Sequence, residues 1–439
     1  VGARVGGVTK IARSGFLTYR LSDGLGSTDV FSIFADREHR VIVFNNDWSV
    51  NQFDGTRFTS VKPNLPEKVK GSSTGNRPVI QARDGEWWVA TGEGLFRFPA
   101  VERFEELAQV KPKAAYFESD GLASNNISRM MEDSRGDLWI SSYTPPVTLT
   151  RWERATGKFH RYGESDGIPA NNWAHVMAED RAGNVWMGLH YGELMRVRDG
   201  RIEVFHHSDG VPKGLTSGIY CDSAGRLWVG TEGGGVLRVE NPATDKPTFK
   251  VYRINDGLSS NNIHCFTEDR WGRIYIGTSR GVDRLDLSNE QIKQFTAGDG
   301  LSSGEVVAAF ADREGTLWFG TREGLSRLRP EPTDSQTAPP PVFISKVSAG
   351  GKPQPVPELG LREVRGLEFE PGQGQMQIEF FGFSFDTGAG LRYQYKFEGA
   401  DRDWSQASQQ RTVTASLAPG SYRFMVRAVN ASGQVSDEP

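Results

Sequence analysis

The stretch Asp299–Leu328, DGLSSGEVVAAFADREGTLWFGTREGLSRL, constrains the fold more than any other part of the chain. It holds three short apolar runs, Val306–Phe310, Leu317–Phe319 and Leu325–Leu328. Asp312-Arg-Glu-Gly315 and the turn Thr321–Gly324 separate them. Runs of this length bounded by Asp and Gly read as strands joined by hairpins. Asp at the first and Gly at the fourth position of a turn suit type I geometry, the carboxylate capping backbone amides. One such sheet cannot bury both of its faces, so it needs copies of itself.

The copies are present. Asp256–Leu285 repeats the unit, and Asp222-Ser-Ala-Gly225, Asp180-Arg-Ala-Gly183 and Asp133-Ser-Arg-Gly136 each lead to a tryptophan six residues after the Asp. Trp139, Trp186, Trp228, Tyr275 and Trp318 are spaced by 42 to 47 residues, Tyr275 standing in once. A period of about 40–50 residues with several strands per unit marks propeller blades. Two weaker copies come first. One contains Asp84-Gly85-Glu-Trp-Trp88, and the other Asp36-Arg-Glu-His39, with His in place of Gly and Ile42 in place of Trp. The expectation is an all-β chain with seven blades.

Phe16–Tyr19 reads as a fourth strand without a blade, and the last blade lacks its own. Pairing Phe16–Arg20 beside Leu325–Leu328 would close the ring and remove its open edges. Residues 1–15 would then hold the remnant of a preceding propeller. Val101–Val110, with apolar residues at 101, 104, 107, 108 and 110, predicts a short outer helix. Lys62–Pro78 reads as a polar loop.

From Pro330 to Pro341 the chain is Pro-rich, as in an extended linker. Beyond it, Gln375–Phe381, Leu391–Phe397 and Ser421–Val429 alternate apolar and polar residues, as strands with one buried face do. Leu417-Ala-Pro-Gly420 before Tyr422 predicts a corner at which a tyrosine hydroxyl bonds the backbone. The domains expected are a propeller over 1–329, a linker over 330–341, and a fibronectin-III-like β-sandwich over 342–439.

The net charge is −4 with acids and bases interspersed, so no basic stripe argues for nucleic acid. The chain begins at Val1, carries no signal peptide and has no run of about 18 apolar residues, and is read as a fragment or mature segment. Cys221 and Cys265 fall three positions out of register on neighbouring inner strands, so both are expected as free, buried thiols.

The motif DGL…V…D-x-x-G-x-L-W-x-G-T-x-x-G-L-x-R resembles the two-component regulator propeller repeat. Tyr393-Gln-Tyr395, Trp404, Leu417, Pro419-Gly420 and Tyr422 resemble the three-tyrosine (Y_Y_Y) domain that follows such propellers. The resemblance implies the periplasmic sensor region of a bacterial hybrid histidine kinase, with the membrane reached only through a downstream helix. It implies a small-molecule ligand, frequently a carbohydrate in that family, and a homodimer formed through the sandwich. The fragment itself would be no enzyme and need no cofactor.

Other chemistry is weakly signalled. Gly71-Ser-Ser-Thr-Gly75 matches G-x-S-x-G, a pattern that acts only on a strand-to-helix turn, and is read as loop. Seven histidines are scattered without zinc spacing. The recurring Trp, set inside a strand among aliphatic residues, is read as packing between blades and not as a sugar platform. Ligand candidates are the residues that break the repeat on the face where outer-to-inner loops and second-to-third-strand loops open. They are Trp173, His190 and Tyr191, with Asn126, Asn172 and Asn262. An open ring and carboxamides suit hydroxyl-rich ligands, while paired Asn residues also cap turns. Two readings besides sensing remain: a propeller lyase or glycoside-active enzyme using Glu179, Glu193 and His190, and a protein-binding scaffold.

Overall fold

The computed structural model describes residues 2–3, 7–8, 15–69, 78–145, 147–332, 340–370, 375–383, 391–430 and 435–436. The motif Gly71–Gly75, most of the Pro-rich linker and most of residues 1–15 lie outside them. Contacts divide the chain into two units, Ala12–Pro332 being one.

In that unit seven four-stranded antiparallel sheets follow one another in a ring. Taken from inside outward, blade 3 is Ile127–Glu132, Leu138–Ser142, Val147–Glu153 and Lys158–Gly163, and the other blades repeat this order. Phe16–Tyr19 pairs with Leu325–Leu328 and supplies the missing outer strand of blade 7. The inner strands of blades 7 and 1 lie side by side, which closes the ring.

Seven apolar clusters of buried residues hold the ring, one at each junction between consecutive blades. Each repeat aromatic packs into the cluster shared with the next blade. Trp139 enters that of blades 3 and 4, Trp186 that of 4 and 5, and Trp318 that of 7 and 1. A buried tryptophan removes about 150–250 Å² from water. At about 25 cal/mol per Å² that contributes about 4–6 kcal/mol per junction before entropy.

The D-x-x-G turns do two jobs at once. Asp222 Oδ1 accepts the amides of Ala224 and Arg226, at 3.0 and 2.8 Å, and its Oδ2 accepts the indole N–H of Trp228 at 2.8 Å. The same indole bond recurs from Trp139 to Asp133, Trp186 to Asp180 and Trp318 to Asp312. Gly225 lies at φ +85° and faces Arg181 of the preceding blade. In blade 1 His39 adopts φ 65°, so the turn keeps its shape without glycine.

The closing Arg of the repeat also has a place. Arg151, Arg196, Arg238 and Arg327 lie over Trp139, Trp186, Trp228 and Trp318, 5.1–5.7 Å from the ring centroids. An outer-strand aromatic, Tyr162, Phe205, Tyr252 or Tyr19, lies against the same Trp. Tyr19 thus completes blade 7 as Tyr252 completes blade 5.

Three expectations for this unit need correction. The segment Val101–Val110 forms a 3₁₀ turn at Phe104–Ala108, with Phe104 and Leu107 buried. The loop from Lys62 is not wholly polar, since Leu65 and Val69 are buried in the junction of blades 1 and 2. Cys221 and Cys265 form no disulfide, as expected, but are only half-buried, and burial raises the Cys221 thiol to about 11.

In the C-terminal unit one sheet runs Lys352–Pro353, Val342–Ala349, Gln375–Gly382 and Thr412–Ser416, and a second pairs Arg392–Glu398 with Arg423–Val429. Both sheets contribute to a core that includes Ile378, Phe380, Tyr393, Val413 and Val426. The tyrosine hydroxyl that holds backbone is that of Tyr393, accepting the Gly382 amide at 2.9 Å, and not that of Tyr422 as the sequence suggested.

Candidate functional site

On one face of the ring, in five of the seven blades, the loop entering the inner strand is tied to the end of the second strand of the same blade. The carbonyls of Asp29, Asn126, Trp173, Leu215 and Asn262 accept the amides of Asn46, Tyr143, His190, Glu232 and Ser279, at 2.9–3.1 Å. Side chains at these paired positions therefore face one another around the mouth of the channel. Below them the inner strands enclose a cavity of about 180 Å³, its lining including Arg129, Ser217, Tyr220 and His264.

Six inner strands carry a bulge one residue after their start, among them the strands beginning at Ile127, Ala174, Thr216 and Ile263. Bulges re-aim side chains. The bulged His175 sends its Nδ1–H to the Thr216 carbonyl of the next blade at 2.8 Å, and Ser217 donates to Ile263 in the same way. His175 is held neutral, its pKa lowered to about 4 by burial and by the nearby Arg129. Burial also lowers His190, against a weaker opposing pull from Glu232, and lowers His264.

Loop chemistry behind these positions is largely structural. The amide two residues past the Gly of D-G-L is bonded by a polar side chain on the third strand. Asn51 Oδ1 accepts Gly26, Thr150 Oγ1 accepts Ala123, Asp283 Oδ2 accepts Ser259 and Ser326 Oγ accepts Ser302, all at 2.8 Å. Blades 4 and 5 carry Met195 and Leu237 in that register, and there the loop residues are Pro169 and Pro212, which have no N–H to satisfy. Asp283 is fully buried and its carboxyl is raised to about 7 by desolvation.

Of the sequence candidates, Trp173, His190 and Tyr191 come together. The Trp173 and His190 rings stack, centroids 4.1 Å apart and planes within 20°. Tyr191, 60% exposed, meets both edge-on. Asn172 lies beneath them, buried, its Oδ1 accepting the amides of Trp173 and Tyr191 at 3.0 and 3.3 Å. Asn126 and Asn262 are exposed and belong to blades 3 and 6. Their neighbours Asn125 and Asn261 cap the preceding 3₁₀ turns, accepting the amides of Glu118 and Ile254. The expected set is therefore one aromatic cluster and two separate asparagines.

Tyr143 and His175 were missed. Tyr143 sits 5.7 Å from Trp173, perpendicular to it, and His175 sits 5.9 Å from His190. Aligning the residue after each second strand would have placed Tyr143 opposite His190. The acids named for an enzyme do not converge. Glu179 ends its inner strand and accepts the Ser134 amide at 2.6 Å, while Glu193 bonds His206 and Asn172. Among the described residues no group of three or more His, Cys, Asp or Glu could hold a metal ion.

Fold and face define a seven-bladed β-propeller with a β-sandwich after it. The chain carries two component regulator propeller repeats, matched at residues 121–144, 210–233, 257–280 and 300–323, and a Y_Y_Y domain matched at residues 384–438. It is similar to the extracellular domain of the hybrid two component system BT3049 of B. thetaiotaomicron, with TM-score 0.74 and 20% identity over 97% of this chain and 57% of that one. The corresponding domain of BT4673 from the same organism gives TM-score 0.57 and 17% identity over 98% of this chain and 58% of that one. A streptogramin B lyase gives TM-score 0.54 and 14% identity over 73% of this chain and 99% of that one. At such identities the likeness is one of fold. The chain spans under two thirds of the length of the two-component structures. No curated protein matches it.

Proposed function

We propose that this chain is the periplasmic sensing region of a two-component histidine kinase, with a propeller over 1–329, a linker over 330–341 and a relay sandwich over 342–439. A ligand is taken up at the channel-mouth face, and the sandwich, as part of a homodimer, passes the change to a membrane-attached kinase. What supports this is regulator repeats followed by a Y_Y_Y domain, in a ring whose repeat is broken by an aromatic cluster at the mouth. The signal must come from unequal affinity for two arrangements of the dimer. Moving a population from 1:99 to 99:1 takes about 10⁴-fold preference.

Catalysis is not required, and the dispersed positions of Glu179, Glu193 and His190 offer no acid–base pair. The test is phosphotransfer by the complete protein in membranes, with and without a ligand found by thermal shift on this chain. Ligand-dependent phosphorylation with the ligand recovered unchanged supports the reading. Phosphorylation indifferent to a bound ligand, or conversion of that ligand, overturns it.

A further inference from the structure

Trp173 owes its position to one extra residue. From the Asp of the loop to the start of the inner strand is seven residues in blades 3 and 6, Asp120 to Ile127 and Asp256 to Ile263, but eight in blade 4, Asp166 to Ala174. The insertion sets Trp173 where Asn126 and Asn262 stand elsewhere, and its ring then meets His190 face to face.

The imidazole is poorly anchored there. Its Nδ1 is buried without a hydrogen-bond partner, and so is the Nε1–H of Trp173. Buried polar atoms are normally partnered, so each exception asks for an explanation. His190 hangs on a short turn closed by Gly192 N–H to Leu189 O at 3.0 Å, with Gly192 at φ +94°. The backbone around it is held by the Trp173 amide on Asn172 Oδ1 and the His190 amide on the Trp173 carbonyl, and the His175 ring by Thr216 of the next blade, none of these bonds being made by the His190 imidazole. The imidazole can leave while the indole stays.

Resting on the sensing reading of this face, we infer that the face of Trp173 is a ligand slot that His190 fills from within. Its ligand is a flat aromatic ring that stacks on the indole face as the imidazole does. The chemistry of the walls favours a ring over a polyol. Tyr143, His175 and Tyr191 are aromatic, and the carboxamide beneath the cluster, Asn172, is already spent on two amides and Glu193. The interplanar fit that accepts an imidazole accepts a purine- or indole-like ring.

Because the ligand must displace His190, its apparent affinity is reduced by the fraction of time the slot is filled. A stacked ring pair of this kind shifts an equilibrium by about two- to tenfold. The experiment uses the 439-residue chain labelled with 5-fluorotryptophan, the Trp173 signal being assigned through Trp173→Phe. Adenine, indole and methyl glucoside are the probes, with fluorine NMR as the readout.

Adenine and indole should shift the Trp173 signal and methyl glucoside should not. His190→Ala should bind adenine about two- to tenfold more tightly. His190→Phe, which keeps a ring in the slot, should bind no more tightly than the parent chain. Weaker or unchanged binding in His190→Ala, tighter binding in His190→Phe, a shift by the glucoside, or silence from all three probes would each overturn the inference. None of those outcomes touches the sensing reading, which stands or falls on phosphotransfer.

Discussion

Asp222→Asn tests the repeat at its most connected residue. Asp222 is 2% exposed and its two oxygens serve different partners, Oδ1 the turn amides and Oδ2 the Trp228 indole and the Arg226 guanidinium. Asparagine keeps shape and can still receive the amides through its oxygen. Its NH₂ then faces two other donors. A buried indole N–H left without an acceptor costs about 1–3 kcal/mol, and a lost charge-assisted bond adds to this. Arg226 can turn to water, which limits the second contribution, so about 2–5 kcal/mol is expected in all. Unfolding entropy is about 2.1 cal/mol/K per residue, so for a unit of about 320 residues this lowers Tm by about 3–7 °C. Calorimetry of the variant reads it directly. Trp228→Phe removes the donor, so the double variant should recover about 1–2 kcal/mol relative to additivity. If Asp222→Asn melts within about 1 °C of the parent, the indole–carboxylate bond is not what fixes Trp228 and the account of the repeat fails.

Three further outcomes follow from the same geometry. His39→Gly should stabilise the chain by up to about 1 kcal/mol, because a left-handed φ that costs histidine is free to glycine, and chemical denaturation would show it. Asp283 has a folded pKa raised to about 7, above its unfolded value, so below about pH 4 it changes nothing and stability declines from there toward pH 7. Asp283→Asn, which can accept the Ser259 amide as Asn51 accepts Gly26, should remove that decline and be the more stable protein at pH 8, with no advantage near pH 4. Pro169→Ala should cost about 1–3 kcal/mol by exposing a buried N–H to Met195, and Met195→Thr in the same chain should restore most of it, as paired urea melts would reveal.

Much of the ring was written in residue order. The Asp–Gly turn and the aromatic six residues on defined each hairpin, and the orphan strand Phe16–Tyr19 had one vacancy to fill. The outer insertion was harder to read. Its apolar spacing could serve a helical turn of either pitch, and packing of Phe104 and Leu107 against blades 1 and 2 chose the tighter one. The tyrosine of the sandwich corner was misassigned for a related reason. Several tyrosines fit the pattern, and only the facing of Tyr393 and Gly382 across two sheets decides which hydroxyl reaches an amide.

The mouth was legible only as a break in the pattern, since function there depends on which positions meet across a loop. The Pro169–Met195 and Pro212–Leu237 pairs show how thoroughly the fold couples its own residues: where the third strand loses its acceptor, the loop loses its donor. By that standard a polar atom left without a partner is informative. The indoles of Trp87 and Trp88 are such atoms, and the shortened turn Asp84-Gly85 of their blade accounts for them, as no carboxylate arrives at the usual six-residue distance. That shortened turn does not account for Trp173 and His190, which lie in another blade. Their nitrogens go unpartnered at the open end of the channel, beside an exposed tyrosine, where a molecule from outside can supply what the repeat does not.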